Sequence, residues 1–149
     1  MAILETTISF QGDPLIERAF YSTDDVLDKN IRNALLQAIT GLAQEAFNDA
    51  IQSFTLGDYS IVLISHEISE PINPTNKVPL MMYCIVEKNT DEKAIKQCMQ
   101  DAVTQFLNRY SLNDIFEKKT KKFKDFPDRL SKIFKDLILK SEDRVKSLF

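Results

Sequence analysis

The order of hydrophobic patterns along this chain restricts its fold more than any single motif does. Residues rich in β-formers predict strands at 3–10 and 15–22, and the residues between them, Gln11, Gly12, Asp13 and Pro14, predict a turn. A long helical periodicity follows, then three more strands, then helices up to the end. A chain of 149 residues suits one domain, so these elements are expected to share one core.

The first helical pattern, called helix A here, covers about residues 25–49. Asp24 and Asp25 stand where an N-cap and a first-turn acid belong. One broad apolar face of helix A is wide enough to cover a sheet. A second line of mostly apolar residues runs along another flank of helix A, and its neighbours are amide side chains instead of charged ones. Its members are Leu36, Thr40, Ala43 and Phe47. Because interface cores contain few charges, this flank is interpreted as a contact surface, and coverage by the C-terminal helix is the alternative.

Three strands are predicted after helix A, at 51–56, 59–68 and 80–86. Gly57 and Asp58 suit a two-residue hairpin between the first two of these strands. The proline-rich segment 69–79 predicts a long loop before the last strand. The strands at 59–68 and 80–86 contain continuous apolar runs, which predict burial on both faces of the sheet.

The clearest helical stripe, helix B, follows the capping candidates Thr90 and Asp91. Its apolar residues recur at spacings of three and four: Ile95, Cys98, Met99, Ala102, Val103, Phe106, Leu107 and Tyr110. Helical sequence is predicted again from about Ser111, with an interruption around Phe126 and Pro127. The stripe after this interruption should pack on the body or on a partner subunit: Leu130, Ile133, Phe134, Leu137 and Ile138.

Charge is unevenly distributed between the two parts of the chain. Residues 1–117 contain 8 Lys and Arg against 17 Asp and Glu, whereas residues 118–149 contain 11 against 5. The tail is therefore basic and the body acidic. This asymmetry predicts either that the tail folds back on the body or that it meets an anionic partner.

A cluster of five lysines makes the basic tail conspicuous: Lys118, Lys119, Lys121, Lys122 and Lys124. The spacing of Phe116, Phe123 and Phe126 among them favours one docked helix edge with solvated lysines. An anionic membrane surface and an acidic protein remain as alternatives. Nucleic acid is not expected as a partner.

Residues with catalytic or ligand chemistry are few. His66 has no histidine partner for a zinc site, and Cys84 and Cys98 both lie in apolar patterns that predict buried free thiols. The spacing of the three glycines matches neither a Walker loop nor a dinucleotide-binding fingerprint. The expectation is a protein that is not an enzyme and carries no cofactor and no metal, with an unrecognised enzyme as the weakest alternative.

Two segments carry a resemblance to a known family. Residues 54–62, Phe-Thr-Leu-Gly-Asp-Tyr-Ser-Ile-Val, resemble the third and fourth strands of a longin domain. Residues 106–110, followed by 112–116, are similar to the end of the second longin helix in small clathrin-adaptor subunits. Together with the element order, residues 1–116 resemble a longin domain of the roadblock/longin superfamily. Neither the heptad helix of a vesicle SNARE nor the leading helix of a roadblock protein is present, so the nearest likeness is a stand-alone longin protein of the archaeal kind.

The resemblance implies an α+β, profilin-like fold. Its five-stranded antiparallel sheet would carry helix A on one face and the C-terminal helices on the other. Residues 1–116 would form the longin domain and residues 117–149 a basic amphipathic helical extension packed on it or on a partner.

The resemblance further implies a dimerising platform for small-GTPase regulation or membrane trafficking, paired with itself or a related longin or roadblock subunit. The predicted partner-binding residues are Leu36, Thr40, Ala43, Phe47, Ile51 and Phe54. A peripheral membrane adaptor that uses the basic C-terminal helix, with the five lysines as its contacts to an anionic surface, is the alternative function. No apolar run approaches the roughly 18 residues that cross a bilayer, so a cytoplasmic location is expected, with peripheral membrane contact under the alternative.

Overall fold

A computed structural model describes residues 3–20, 52–56, 59–88 and 90–138. These residues form an α+β structure around one antiparallel sheet, whose strand order is β2-β1-β5-β4-β3. The strands are β1 (Ile3–Phe10), β2 (Asp13–Ala19), β3 (Gln52–Leu56), β4 (Tyr59–Ser69) and β5 (Lys77–Glu87). The predicted α+β class and antiparallel pairing are confirmed. Helix A lies outside the described residues.

The turn between β1 and β2 is tighter than the sequence pattern predicts. Phe10 pairs with Asp13, so only Gln11 and Gly12 lie between the strands. Both residues have positive φ, 51° and 84°, as a type I′ hairpin turn requires. The prediction that Asp13 and Pro14 belong to the turn is therefore wrong, and β2 begins at Asp13. Pro14 is tolerated because β2 is at the edge of the sheet, where a missing backbone donor breaks no ladder.

The β4–β5 hairpin extends further than predicted. β5 begins at Lys77, whereas the sequence placed residues 69–79 in a loop. Pro79 pairs with Glu67 beyond the end of β1, because the last β1 residue, Phe10, pairs with Leu80. Only β4 therefore flanks β5 at Pro79, which allows a proline that a central position would exclude.

Both faces of the sheet are buried at β4 and β5, as the continuous apolar runs predicted. One face joins the main hydrophobic cluster through Val62, Ile64, Met82 and Cys84. Residues of the other face are at most 7% exposed: Ile61, Leu63, Tyr83 and Ile85. A sheet that is buried on both faces requires other parts of the protein to pack against each of them.

The helix α1 (Glu92–Arg109) is the element that the sequence predicted as helix B. Its N-cap is Asp91, whose carboxylate accepts hydrogen bonds from the backbone N–H groups of Lys93 and Ala94, at 3.0 and 3.4 Å. The stripe predicted for this helix faces the sheet, and its buried members are Ile95, Met99, Ala102, Val103 and Phe106. Cys98, Leu107 and Tyr110 are partly buried at the margin of the same cluster.

The chain after α1 consists of short helical pieces: α2 (Leu112–Phe116), a 3-10 turn (Thr120–Phe123), α3 (Phe126–Ile133) and a second 3-10 turn (Lys135–Leu137). Five apolar residues of this segment are no more than 1% exposed and belong to the sheet's own cluster: Ile115, Phe123, Phe126, Leu130 and Phe134. Aromatic rings join the segment to α1, with centroid distances of 5.1 Å between Phe106 and Phe123 and 5.3 Å between Phe106 and Phe126. No helix in the described ranges is long and apolar enough to cross a membrane.

Candidate interaction surfaces

The predicted contact surface on helix A can be located only in part. Leu36, Thr40, Ala43, Phe47 and Ile51 lie outside the described residues. The backbone of Phe54 belongs to β3, where it pairs with Ile61 of β4. The strand β3 is the last strand of the described sheet at this side, and its only described strand neighbour is β4. Among the described residues no other strand pairs with its outer edge, and the backbone groups of such an edge can pair with another chain.

The face of β3 on the side of α1 is polar. Ser53 and Thr55 are exposed, and the hydroxyl groups of Thr55 and Ser60 lie 3.3 Å apart across the β3–β4 pair. These side chains line a cleft of about 230 Å³ that reaches the start of α1 at Glu92. An apolar contact along this side of β3 is therefore not supported, and any apolar contact must use the edge or the opposite face.

The five-lysine segment does not form one helix, and that prediction is wrong. Lys118 has a φ of 54°, in the left-handed region, so the helix α2 stops before it. The chain then continues as a 3-10 turn and re-enters an α-helix only at Phe126. The three phenylalanines still face inwards: Phe123 and Phe126 are buried, and the ring of Phe116 packs edge-on against Phe10 at 4.8 Å.

Three of the five lysines are paired with acids of the body or of their own segment. The Nζ atom of Lys118 lies 2.6 Å from a carboxylate oxygen of Asp13, in the β1–β2 turn region. Lys122 lies 3.2 Å from Asp114, and Lys119 lies 2.8 Å from Glu117. These contacts agree with a tail that folds back on an acidic body. Exposed pairs contribute little to stability, so their main effect is to orient the segment and neutralise charge.

The same pairs shift the proton equilibria of the groups involved. The hydrogen bond from Lys122 lowers the pKa of Asp114 below its usual value, and Lys119 is close enough to add to this effect. The hydrogen bond to Glu117 raises the pKa of Lys119. The pKa of Asp114 is lower in the folded state than in the unfolded state. Its contribution to the stability of the fold is therefore present above the ordinary aspartate pKa and is lost as the pH falls through the lowered value. The arrangement is therefore intact at neutral pH.

Lys121 and Lys124 differ from the other three lysines. Both are exposed, and neither forms an ion pair with a described residue. Within the described part of the chain, these two positions of the predicted cluster are therefore the ones whose charge an anionic partner can meet. The sequence could not separate the two groups, because the acids Asp13 and Asp114 approach the cluster only through the fold.

The two cysteines occupy different environments. Cys84 is fully buried, and its thiol donates a hydrogen bond to the hydroxyl of Thr6 at 3.2 Å. Burial raises the pKa of Cys84 to about 12, so its thiol is protonated and unreactive at neutral pH. Cys98 was predicted to be buried but is only partly so, and its thiol lies 3.5 Å from the carbonyl oxygen of Ile133. Burial also raises the pKa of the Cys98 thiol, and the negative charges of Asp101 and Asp136 add to this effect.

His66, the one histidine of the chain, lies in β4 opposite Leu80 of β5, and its side chain is exposed. Within the described ranges, no three His, Cys, Asp or Glu side chains lie close enough to hold a metal ion. Asp91, one of the two predicted capping candidates, acts as the N-cap of α1. Its carboxylate accepts hydrogen bonds from the helix backbone, so this acid has a structural role.

Comparison with known proteins adds no assignment to these surfaces. No protein-family model and no curated protein match this sequence. The longin resemblance of residues 54–62 and 106–116 stays a prediction.

Proposed function

We propose that this chain is a non-enzymatic protein-interaction module of the longin type. It self-associates, or pairs with a related longin or roadblock subunit, and serves as a platform for small-GTPase regulation or membrane trafficking. Helix A and β3 form the contact surface in this proposal. The profilin-like longin fold is part of the same proposal, and the antiparallel sheet with later helices on one face supports it.

The observation that carries the proposal is the position of β3. This strand ends the described sheet at the side away from β2, and its sequence neighbour along the chain is the end of helix A. At the other edge, β2 contacts both the 3-10 turn at Thr120–Phe123 and α3. The β2 edge is therefore approached by the chain's own elements. Among the described elements, β3 has comparable contacts with β4 alone, and an edge strand that other elements do not cover favours pairing with a second chain.

Nucleotides and divalent metals are expected to leave the melting temperature unchanged. A ligand at 100 times its dissociation constant would stabilise the native state by about 2.7 kcal/mol, which corresponds to roughly 5 °C or more for a chain of this length. GTP, ATP, Mg²⁺ and Zn²⁺ should each shift the transition by less than about 1 °C in differential scanning calorimetry. A reproducible rise of several degrees with any of them would contradict the non-enzymatic proposal.

A second candidate function, a peripheral membrane adaptor, is favoured by Lys121 and Lys124, which are exposed and form no ion pair with a described residue. Each basic residue near an anionic surface contributes about 1 kcal/mol, so replacing both by serine should weaken binding roughly thirtyfold. Co-sedimentation with phosphatidylserine vesicles measures this, with phosphatidylcholine vesicles for comparison. The matched control replaces two exposed lysines of α1, Lys93 and Lys96, by serine and should bind like the wild type. Absence of wild-type binding at low salt would eliminate this function.

A further inference from the structure

Two arginines that are 20 positions apart in the sequence line one depression on the surface. The depression has a volume of about 250 Å³ and is lined by Gln105, Asn108, Arg109 and Arg129. The first three belong to α1, near its C-terminal end, and Arg129 belongs to α3. Packing of α3 on α1 creates this site, so sequence spacing does not reveal it.

Neighbouring side chains hold both guanidinium groups in place. Arg129 donates a hydrogen bond from Nη1 to Oε1 of Gln105, at 3.2 Å. The guanidinium carbon of Arg109 lies 5.9 Å from the centroid of the Tyr110 ring, within the range of a cation–π contact. The Tyr110 ring in turn packs against the buried ring of Phe123, with 4.8 Å between the ring centroids, so the ring beside Arg109 is anchored at the margin of the core. Groups that are positioned before binding lose less conformational entropy when a ligand arrives.

Neither arginine is neutralised by an acid of the described chain. Asp128 is adjacent to Arg129 in sequence, but its carboxylate lies 3.9 Å from Arg18 on β2. Arg109 and Arg129 form no ion pair with a described carboxylate. Among the described residues, no carboxylate pairs with the two positive charges at this depression, which favours an anion as its ligand.

We propose that Arg109 and Arg129 form a binding site for a phosphate group. A guanidinium presents donors in a planar fork that matches two phosphate oxygens. Asn108 and the amide nitrogen of Gln105 add neutral donors, because Oε1 of Gln105 already accepts from Arg129. This site is independent of the self-association proposed above, which uses helix A and β3.

The donor set favours phosphate over a carboxylate. A carboxylate carries one negative charge and two oxygens, whereas a phosphate ester carries up to two charges and three free oxygens for two guanidinium groups and two amides. The volume of about 250 Å³ lies below the roughly 300 to 1,000 Å³ of pockets that enclose drug-sized ligands. The depression therefore fits one anionic group and not a whole nucleotide.

The test is a titration of the full chain with inorganic phosphate, followed by the backbone amide signals in two-dimensional NMR. Saturable shifts are expected at residues 105–110 and 129, with a dissociation constant on the order of 1 mM. Sodium chloride at matched ionic strength and sodium acetate should not produce them. If chloride or acetate moves the same signals equally, the site is not specific for phosphate and the proposal is overturned.

Variants separate this site from a general attraction to positive charge. Arg129→Gln and Arg109→Gln should each weaken phosphate binding about tenfold, because each removes a charge-assisted contact. Lys93→Gln is the control, since Lys93 is exposed on the same helix and about 24 Å from Arg109 along its axis. It should bind phosphate like the wild type. Equal weakening in all three variants, or none in the arginine variants, would overturn the proposal.

The source of the phosphate group is decided by two further probes. Glycerol 3-phosphate represents a soluble ester, and vesicles of phosphatidylcholine with phosphatidylinositol 4-phosphate represent a lipid headgroup. Arginine-dependent binding of the soluble ester with the affinity of inorganic phosphate assigns a soluble ligand. Arginine-dependent binding to the vesicles that is at least tenfold tighter assigns the lipid headgroup. Failure of both probes contradicts the proposal even if inorganic phosphate binds.

Discussion

Replacement of Phe134 by Asp is expected to lower the free energy of unfolding by more than about 3 kcal/mol. Phe134 is fully buried beyond the last turn of α3, in the cluster shared with the sheet. Loss of a buried phenylalanine alone costs about 3 to 5 kcal/mol, and a carboxylate placed there also loses its hydration. Urea denaturation followed by far-ultraviolet circular dichroism measures the change.

The matched control for this variant is Lys135→Asp. Lys135 is the next residue and is exposed. Its replacement introduces the same aspartate side chain at a solvated position. Its expected effect is within about 0.5 kcal/mol. If Phe134→Asp is as stable as Lys135→Asp, or if hydrogen exchange finds residues 126–134 unprotected in the wild type, the segment is not docked on the body as described.

The sequence could predict those elements whose signals are local. The α1 stripe and its Asp91 cap are visible because helical spacing and capping depend on neighbours within one turn. The strand β5 was predicted too short, since the prohibition of proline in central strands does not apply where β1 has already ended beside Pro79. That exemption depends on the register of a strand some 70 residues away, which no local pattern records.

The candidate surfaces show the same limit. The lysine cluster is evident in the sequence, but its division into paired and unpaired lysines depends on acids such as Asp13, which lies 105 residues from Lys118. The break of the helix at Lys118 was missed because a left-handed lysine leaves no compositional signal. The depression at Arg109 and Arg129 exists only because two helices pack together. The partner-binding line on helix A stays a prediction.

Replacing Leu36 and Phe47 together by glutamate is expected to convert a dimer into a folded monomer. In the proposed contact, both side chains lie on the flank of helix A that faces the second chain. Each ion taken out of water without a partner costs several kcal/mol, so two such charges per chain should abolish association at micromolar concentration. Circular dichroism of the double variant should match the wild type.

The control for this variant places the same charges on an exposed surface of α1. Gln100 and Thr104 are both exposed and lie one helical turn apart. The double variant Gln100→Glu, Thr104→Glu should remain dimeric. If the Leu36 and Phe47 variant unfolds instead, that flank belongs to the core of the domain and not to an interface.

The molar mass of the wild-type chain in solution tests the central claim most directly. Multi-angle light scattering coupled to size-exclusion chromatography, at tens of micromolar protein, separates the two outcomes. The chain has a mass of 17.1 kDa, and self-association through helix A and β3 predicts a particle of twice that mass. A wild-type particle of 17.1 kDa across that concentration range would contradict the proposal of a self-associating interaction module.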